Sequence, residues 1–532
     1  MKFFNTAGPN KDDIHYTLSP LSRWNLIEIM GLIEAQKFFV LHAPRQTGKT
    51  TGLLTLRDHL NKDGKYNAIY VNIEAAQAAR ENVQRGIQAV LASFARKHKE
   101  LTKVTLIEDK WKEILDKSGP ESALSDVLSF WAQNSDKPTV LFIDEIDALV
   151  GDTLISVLRQ IRAGYADRPL SFPQTILLCG VRDVRDYRIH SSSTKEIITG
   201  GSAFNIKSES LRLGNFTPED IRTLYHLHTE HTGQKFEEEI FPLVWEYTGG
   251  QPWLVNALAY EACFKIEGGK DRTKSIDINL IREAKENLVV RRDTHLDQLI
   301  DKLQEDRVKR VIKPILKGEM SQELREDDIQ YVLDLGLIKR TVNKAIEIAN
   351  SIYRETIPRE LTSGWQSGMV LDELWYLHKE DNRIKYKKLI GEFQTFFRKH
   401  SEIWLEKFDY KEAGPQLLLQ AYLQRIINGG GLVEREYGLG TKRTDLHITW
   451  FPNGRKDYSV RQETVIELKI QYDSLETTLE EGLKQVAMYY DKCGAEEAHL
   501  LIFNRSTEVK WEEKIFYQER VYEGVKVGVW GM

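Results

Sequence analysis

Residues 38–51 read Phe38-Phe39-Val40-Leu41-His42-Ala43-Pro44-Arg45-Gln46-Thr47-Gly48-Lys49-Thr50-Thr51. The opening residues are a short apolar run of strand type, and the rest is a loop that ends in Gly-Lys-Thr where a helical pattern begins. In that order of strand, loop and helix, backbone N–H groups of the loop and of the helix N-terminus converge on one spot that suits a phosphate chain. Lys49 adds a charge for the β- and γ-phosphates, and Thr50 adds a hydroxyl for Mg²⁺. Ala43, Pro44, Arg45, Gln46, Thr47, Gly48, Lys49, Thr50 and Thr51 are therefore the expected cradle of a nucleoside triphosphate, with Mg²⁺ as its cation. Loops of this kind usually open with glycine; here Ala43 takes that place, while Gly48, Lys49 and Thr50 keep their spacing.

Outward from the loop, the runs Ala68–Glu74, Thr139–Asp147 and Thr175–Val181 are short and continuously apolar, and amphipathic stretches separate them. Strands buried on both faces read this way, so a parallel sheet covered by helices is expected. Asp144 falls where the second run ends and is placed to hold the Mg²⁺ shell. Glu145 follows as the base that polarises the attacking water. Asp147 either caps the next helix or faces the nucleotide. Arg182 follows the third run, where a polar residue would sense the γ-phosphate, and Arg159 and Arg162 are candidates for arginine fingers toward a neighbouring copy.

The chain has 532 residues, enough for about three to four domains with their own cores. Its net charge is −5 with both signs interspersed, so any contact with nucleic acid must be local. No apolar run reaches membrane-spanning length, and the apolar part of the start is too short for a signal peptide. A cytoplasmic protein with no membrane partner is the expectation. Cys179, Cys263 and Cys493 lie far apart, in strand-like, helix-like and loop-like contexts, without metal or redox spacing.

Several segments carry a family resemblance. Tyr16–Arg23, Ser202–Ile206 leading to Leu211–Thr217, and Gly249-Gly250-Gln251-Pro252-Trp253 resemble, in that order around the phosphate loop, the AAA-like ATPases of archaea and bacteria. These belong with the signal-transduction ATPases with numerous domains. The resemblance implies a helical lid whose Gly-x-Pro segment, here Gly250-Gln251-Pro252, touches the nucleotide and reports its state, and it adds Pro252 to the nucleotide-binding residues. It also implies a winged helix after the lid. The pattern between Arg307 and Leu361 fits one, with Gly336–Arg340 and Ala345–Ala349 as the two strands of the wing. Its second helix, within Gln322–Asp334, carries an acidic excess that would repel a phosphate backbone, so packing and switching are its expected work.

Near the C-terminus, Gly438–Trp450 and Glu463–Ile470 read as two strands joined through Pro452-Asn453-Gly454. Alternation puts Glu467 and Lys469 on one face, and a hairpin would bring Asp445 across to them. Two carboxylates can hold Mg²⁺, with Mn²⁺ as the alternative metal, while the lysine orients water. This resembles the PD-(D/E)XK nuclease fold, carried here by Thr444-Asp445 and Glu467-Leu468-Lys469, then by a helix with Gln485 and Tyr489 and the strand His499–Phe503. The proline familiar before the aspartate is absent. Gln420 and Gln424 stand where some relatives place a metal-binding glutamate. Arg435, Lys442 and Arg443 lend the edge of the site positive charge suited to nucleic acid.

The expected architecture is thus an α/β multidomain chain. A P-loop NTPase core spans residues 1–215, a helical lid 216–290, a winged helix 291–365, a helical linker 366–412, which its charged amphipathic helices would equally allow as a helical prefix to the last domain, and a restriction-endonuclease-like α/β domain 413–532. The expected function is a Mg·ATP-hydrolysing switch coupled to a metal-dependent nuclease acting on nucleic acid, with a nucleotide-dependent homo-oligomer as a further expectation. The alternative is an ATP-binding regulator or scaffold that carries an inactive nuclease fold.

Overall fold

The computed structural model describes residues 1–182, 189–190, 197–198, 209–291, 301–317, 324–341, 345–361, 375–407, 419, 422–423, 426–427, 431–439, 442–454, 459–471, 474–504, 506 and 509–532. The contacts divide the chain into two compact units, Met1–Leu299 with Glu323–Ile352, and Ile300–Gln322 with Tyr353–Met532.

The first unit is built on β1 (Phe39–His42), β2 (Asn67–Asn72), β3 (Thr139–Asp144), β4 (Thr175–Gly180) and, after the small hairpin of β5 (Ile189–His190) and β6 (Ile197–Ile198), β7 (Glu209–Arg212). These five longer strands form a sheet in the order β2-β3-β4-β1-β7, parallel throughout. Both faces are covered, which is why the strands are apolar at consecutive positions. Val40, Ile69, Val71, Leu141, Ile143, Ile176 and Leu178 pack against the helices Val83–Thr102, Ala123–Gln133 and Gly151–Ala163. Their neighbours Leu41, Ala68, Tyr70, Val140, Phe142, Leu177 and Cys179 face the helices Leu26–Glu34 and Lys49–Asp63. Leu53, Leu56 and Leu60 form the inner stripe of the latter helix at 0 % exposure, and burying each contributes about 2 kcal/mol.

Four helices, Pro218–Thr232, Ile240–Thr248, Pro252–Tyr260 and Ile278–Arg291, follow the sheet. The first begins sharply. Thr217 and Asp220 cap it reciprocally, and Pro218 occupies a first-turn position where its missing N–H costs nothing. The N-terminal segment packs on this bundle through Phe4, which sits among the rings of Tyr16, Tyr225 and His228. Helix Glu326–Asp334, β8 (Ile338–Arg340) and β9 (Ile346–Ile348) also belong to this unit, and the two strands pair antiparallel where the wing was expected. Arg212 at the end of β7 donates to the Leu333 carbonyl at 3.0 Å.

The second unit holds a mixed sheet of β10 (Gly431–Leu439), β11 (Lys442–Trp450), β12 (Gln462–Gln471), β13 (Glu497–Asn504), β14 (Phe516–Tyr522) and β15 (Val525–Gly531), in the order β10-β11-β12-β13-β15-β14. Strands β10, β11 and β12 run antiparallel, β12, β13 and β15 run parallel, and β14 closes the far edge antiparallel. The helix Leu475–Cys493 covers one face through Leu483, Val486 and Tyr489, packed on Val465, Leu500 and Ile502. The opposite face packs Leu446, Ile448, Ile466 and Leu501 against Leu389, Ile390, Phe393 and Phe397. These last four residues lie on the helix Tyr386–Lys407, so part of the stretch 366–412, read from its charges as a linker or a helical prefix to the last domain, supplies core to this unit. Cys493 closes a helix rather than sitting in a loop, and Cys179 and Cys263 are buried thiols. Among the described residues, no helix is long and apolar enough to cross a membrane.

Candidate functional site

Beyond β1 the chain turns through a loop held by its own groups. The Ala43 N–H donates to the Gly180 carbonyl at 3.2 Å, and the Thr47 hydroxyl donates to the Pro44 carbonyl at 2.8 Å. Gly48 has φ of 88°, a left-handed conformation that a residue with a Cβ adopts only at a cost. The helix Lys49–Asp63 then begins with no side chain capping it, which leaves its first N–H groups to a ligand. Lys49 is 8 % exposed, and its ammonium donates to the carbonyls of Ala43 at 2.8 Å and Pro44 at 2.9 Å. Arg23 buttresses the loop from the N-terminal side. It donates to the Thr47 carbonyl at 2.7 Å and to the Gly214 carbonyl, and it lies 4.8 Å from the Phe216 ring centre. Burial draws its pKa down to about 10, with Asp220 opposing, so the guanidinium stays charged at neutral pH.

Asp144 ends β3 at 0 % exposure and is met by three donors. The Thr50 and Tyr70 hydroxyls each donate to Oδ2 at 2.8 Å, and the Glu145 N–H donates to Oδ1 at 2.9 Å. A buried carboxylate is tolerated when its lone pairs are met in this way. Glu145 turns the chain with φ of 61°, and its carboxyl pKa is raised, first by burial and then by Asp144, with Lys49 and Arg45 opposing. Asp147 does not cap the next helix, which begins after Val150 with no side chain capping it. It accepts the Val181 N–H and so fixes the end of β4, with burial raising its pKa. Arg182, one residue on, lies half-buried with its guanidinium 4.7 Å from the Tyr331 ring centre. Arg159 and Arg162 are exposed on their helix, and the Ser202–Ile206 segment lies outside the described residues.

In the segment where the resemblance implies a lid, the turn Gly250-Gln251-Pro252 lies against the loop. Gly250 has φ of 71°, its carbonyl accepts the Phe216 N–H at 2.8 Å, and a Cβ there would stand 2.1 Å from the Phe216 oxygen. Gln251 caps the helix that Pro252 opens, accepting the Leu254 N–H at 2.6 Å, while its amide nitrogen reaches the Arg45 carbonyl at 3.5 Å. The N-terminal segment ties the two sides together. The Asn10 N–H donates to the Thr51 hydroxyl at 3.1 Å, and Trp253 Nε1 donates to the Thr6 carbonyl at 2.8 Å. Between them lies a cavity of about 120 Å³, lined among others by Gly8, Gln46, Thr51, Phe216, Pro252 and Asn256. Sequence reading missed Asn5–Asn10, Tyr70 and Asn256. The turn-forming Gly8-Pro9-Asn10 was the available signal for the first, whereas Tyr70 and Asn256 sit in apolar runs that read as core.

Residues 32–357, more than half of the chain, match the AAA-like domain. The chain belongs to the AAA-like domain family. No curated protein matches it. Among solved structures, this AAA-like protein is similar to the Walker-type ATPase PABY2304 of Pyrococcus abyssi, at 13% identity and a TM-score of 0.44, over 66% of this chain and 99% of that one. It is also similar to Cdc6p from Pyrobaculum aerophilum, at 13% identity and a TM-score of 0.34, over 66% and 94% of the two chains. The RuvB Holliday junction branch migration motor of Thermotoga maritima matches at 13% identity and a TM-score of 0.32, over 62% and 91%.

In the second unit, the ladder between β11 and β12 pairs Leu446 with Ile466, so Asp445 and Glu467 are the next residues along the two strands. The side chains of Asp445, Arg435, Lys442 and Arg443 lie outside the described residues, as do Gln420 and Gln424 altogether. Glu467 is 4 % exposed, and its Oε1 lies 3.4 Å from Lys469 Nζ. Both alternate with Val465, which places them on the sheet face covered by the helix Leu475–Cys493. Gln485 and Tyr489 stand one turn apart on that helix, and the buried Gln485 Oε1 has no hydrogen-bond partner among the described residues. A neighbouring cluster went unnoticed in the sequence. Glu463 takes His447 Nε2 and the Thr449 hydroxyl at 2.9 Å on one oxygen, and Arg461 Nε at 3.1 Å on the other. Among the described residues, no group of three or more His, Cys, Asp and Glu side chains is placed to hold a metal.

Proposed function

We propose that the chain binds and hydrolyses ATP at the loop Ala43–Thr51 and works as a nucleotide-dependent switch of the signal-transduction ATPase type. The observation that carries this is the meeting of the Thr50 hydroxyl and the Asp144 carboxylate at 2.8 Å, beside an uncapped helix N-terminus and the Lys49 ammonium. Thr50 and Asp144 are hard oxygen donors of the kind Mg²⁺ takes, since this ion binds through one or two protein oxygens, the phosphates and water. Bound Mg²⁺ would supply charge neutralisation at the β- and γ-phosphates. Lys49 leaves its loop carbonyls for the phosphates, Asp144 orients the water shell, and Glu145, whose raised pKa reflects burial beside Asp144, takes the proton of the attacking water. Arg182 senses the γ-phosphate, and Pro252 with its preceding turn couples nucleotide to the lid. A nucleotide-dependent homo-oligomer and a cytoplasmic setting fit this work. ATP turnover of the full chain with Mg²⁺, compared with Lys49→Ala, is the test; equal turnover would refute the assignment.

For the second unit we propose a metal-dependent nuclease-like domain acting on nucleic acid, with Asp445 and Glu467 as ligands of Mg²⁺ or Mn²⁺ and Lys469 as the water-positioning group. The register of β11 with β12 and the buried Glu467 beside Lys469 support it. The winged helix would relay nucleotide state to this domain. A Mg²⁺/Mn²⁺ cleavage assay on single- and double-stranded DNA and RNA, with and without ATP, tests the proposal. If no substrate is cut under any nucleotide condition, the domain serves as a scaffold.

A further inference from the structure

Asn256 lies one turn into the helix Pro252–Tyr260 and is 8 % exposed. Its Nδ2 donates to the Pro252 carbonyl at 2.8 Å. A carbonyl can only accept, so this contact fixes which end of the amide faces the helix backbone and leaves Oδ1 as the other end. That oxygen is buried and, among the described residues, has no hydrogen-bond partner. Two more side-chain atoms share this condition, Arg23 Nε and Gln46 Oε1, and all three residues line the cavity between the phosphate loop and the lid. Native proteins rarely leave buried polar atoms unsatisfied, so three around one cavity point to a ligand that completes them.

An acceptor repels phosphate oxygens, which the loop N–H groups and Lys49 take instead. Asn256 Oδ1 therefore calls for the donor-bearing end of the nucleotide, and the neighbouring Pro252 and Phe216 offer apolar surface for a flat base. We propose that Asn256 Oδ1 accepts a hydrogen bond from the exocyclic 6-amine of the nucleobase and so selects adenine over purines without that amine. Guanine presents a carbonyl oxygen at the same position, where acceptor would face acceptor. This deepens the ATP reading and rests on it. The specificity is of the kind a buried polar group imposes, because a base lacking the donor leaves Oδ1 without a partner.

The test is equilibrium binding of ATP, GTP, 2′-deoxy-ATP and purine riboside triphosphate, which lacks the 6-amine, to the full chain and to Asn256→Ala. The parent should prefer ATP over purine riboside triphosphate by about tenfold to a hundredfold, and Asn256→Ala should bring that ratio close to one. The affinity of the variant for purine riboside triphosphate should stay near that of the parent. The ratio cancels any general weakening of the lid, and the parent alone decides the matter if the variant does not fold. Equal affinity of the parent for ATP and purine riboside triphosphate overturns the proposal, as does an unchanged ratio in the variant. If Asn256→Ala instead removes discrimination against 2′-deoxy-ATP, the oxygen reads the ribose and the proposal fails. In each of these cases ATP binding itself stands, whereas a parent that binds no triphosphate refutes the nucleotide site as well.

Discussion

The Tyr70 hydroxyl donates to Asp144 Oδ2 at 2.8 Å, sharing that oxygen with the Thr50 hydroxyl. Tyr70 lies on β2, the edge strand beside β3, and the register pairs Asn72 with Asp144. Burial, then Asp144, raises the Tyr70 pKa, so the phenol keeps its proton and remains a donor. A strand neighbour thereby holds the carboxylate assigned to the Mg²⁺ shell.

Tyr70→Phe removes this donor while leaving Thr50 and the Glu145 N–H on Asp144. A hydrogen bond to a charged acceptor is worth about 1.5–3 kcal/mol. The expected outcome is a rise of about tenfold or more in the Mg²⁺ concentration that half-saturates ATP turnover, with metal-free nucleotide affinity unchanged. Titration of both with fluorescent nucleotide separates this from a general loss of folding, which would weaken the two together.

Gly250→Ala places a Cβ 2.1 Å from the Phe216 carbonyl oxygen at a φ of 71°. Neither the clash nor the left-handed backbone has an easy release, because the Gly250 carbonyl also accepts the Phe216 N–H at 2.8 Å. The variant should lose about 1–3 kcal/mol of stability and show faster amide exchange over residues 245–260. A melting temperature equal to the parent's would show that the turn can rearrange.

How much of this was open to sequence reading follows the physics of each signal. The doubly buried strands β1, β3 and β4 announced themselves as continuous apolar runs, and Gly48-Lys49-Thr50 needs only local spacing to be recognised. Asp144 was legible because it is a charge ending an apolar strand. Tyr70 was not, since an aromatic residue inside a strand reads as core, and indeed its ring packs there while only its hydroxyl reaches the site. The bond from the Val181 N–H to Asp147 could not be read locally, because the two residues lie 34 apart in sequence. The Asn5–Asn10 segment has no periodicity, and its contacts with Thr51 and Trp253 are long-range.

His228, on the helix Pro218–Thr232, offers a pH test of the helical bundle. It is fully buried, and burial lowers its pKa to about 4 from the usual 6.5, with the Gln234 hydrogen bond opposing. It bonds to Gln234 Oε1 through Nε2 at 2.9 Å and to the Tyr16 hydroxyl through Nδ1 at 3.1 Å, a pattern that suits the neutral ring. Unfolding lets the ring take a proton below its ordinary pKa. Stability from this residue is therefore complete above about pH 6.5 and is lost as pH falls toward 4. Thermal melts between pH 7.5 and 5 should show a falling midpoint, with a shallower slope in His228→Gln. Parallel slopes would assign the acid sensitivity elsewhere.

In the second unit, Lys469→Ala should leave metal affinity close to the parent's and lower cleavage by about tenfold or more, because an ammonium is not a ligand for a hard cation. Glu467→Gln should lose both. Calorimetric Mn²⁺ titration of the two variants distinguishes these roles, and loss of metal binding in Lys469→Ala would contradict the division of labour.

The most direct test of the account is ATP binding and single-turnover hydrolysis by Glu145→Gln beside the parent. Asp144, Thr50 and Lys49 remain in this variant, so Mg·ATP affinity should be kept or improved while hydrolysis falls by at least about a hundredfold, the usual scale for losing a general base. Hydrolysis at the parent's rate, or loss of binding together with rate, would contradict the placement of hydrolytic chemistry at the junction of β3 and the phosphate loop.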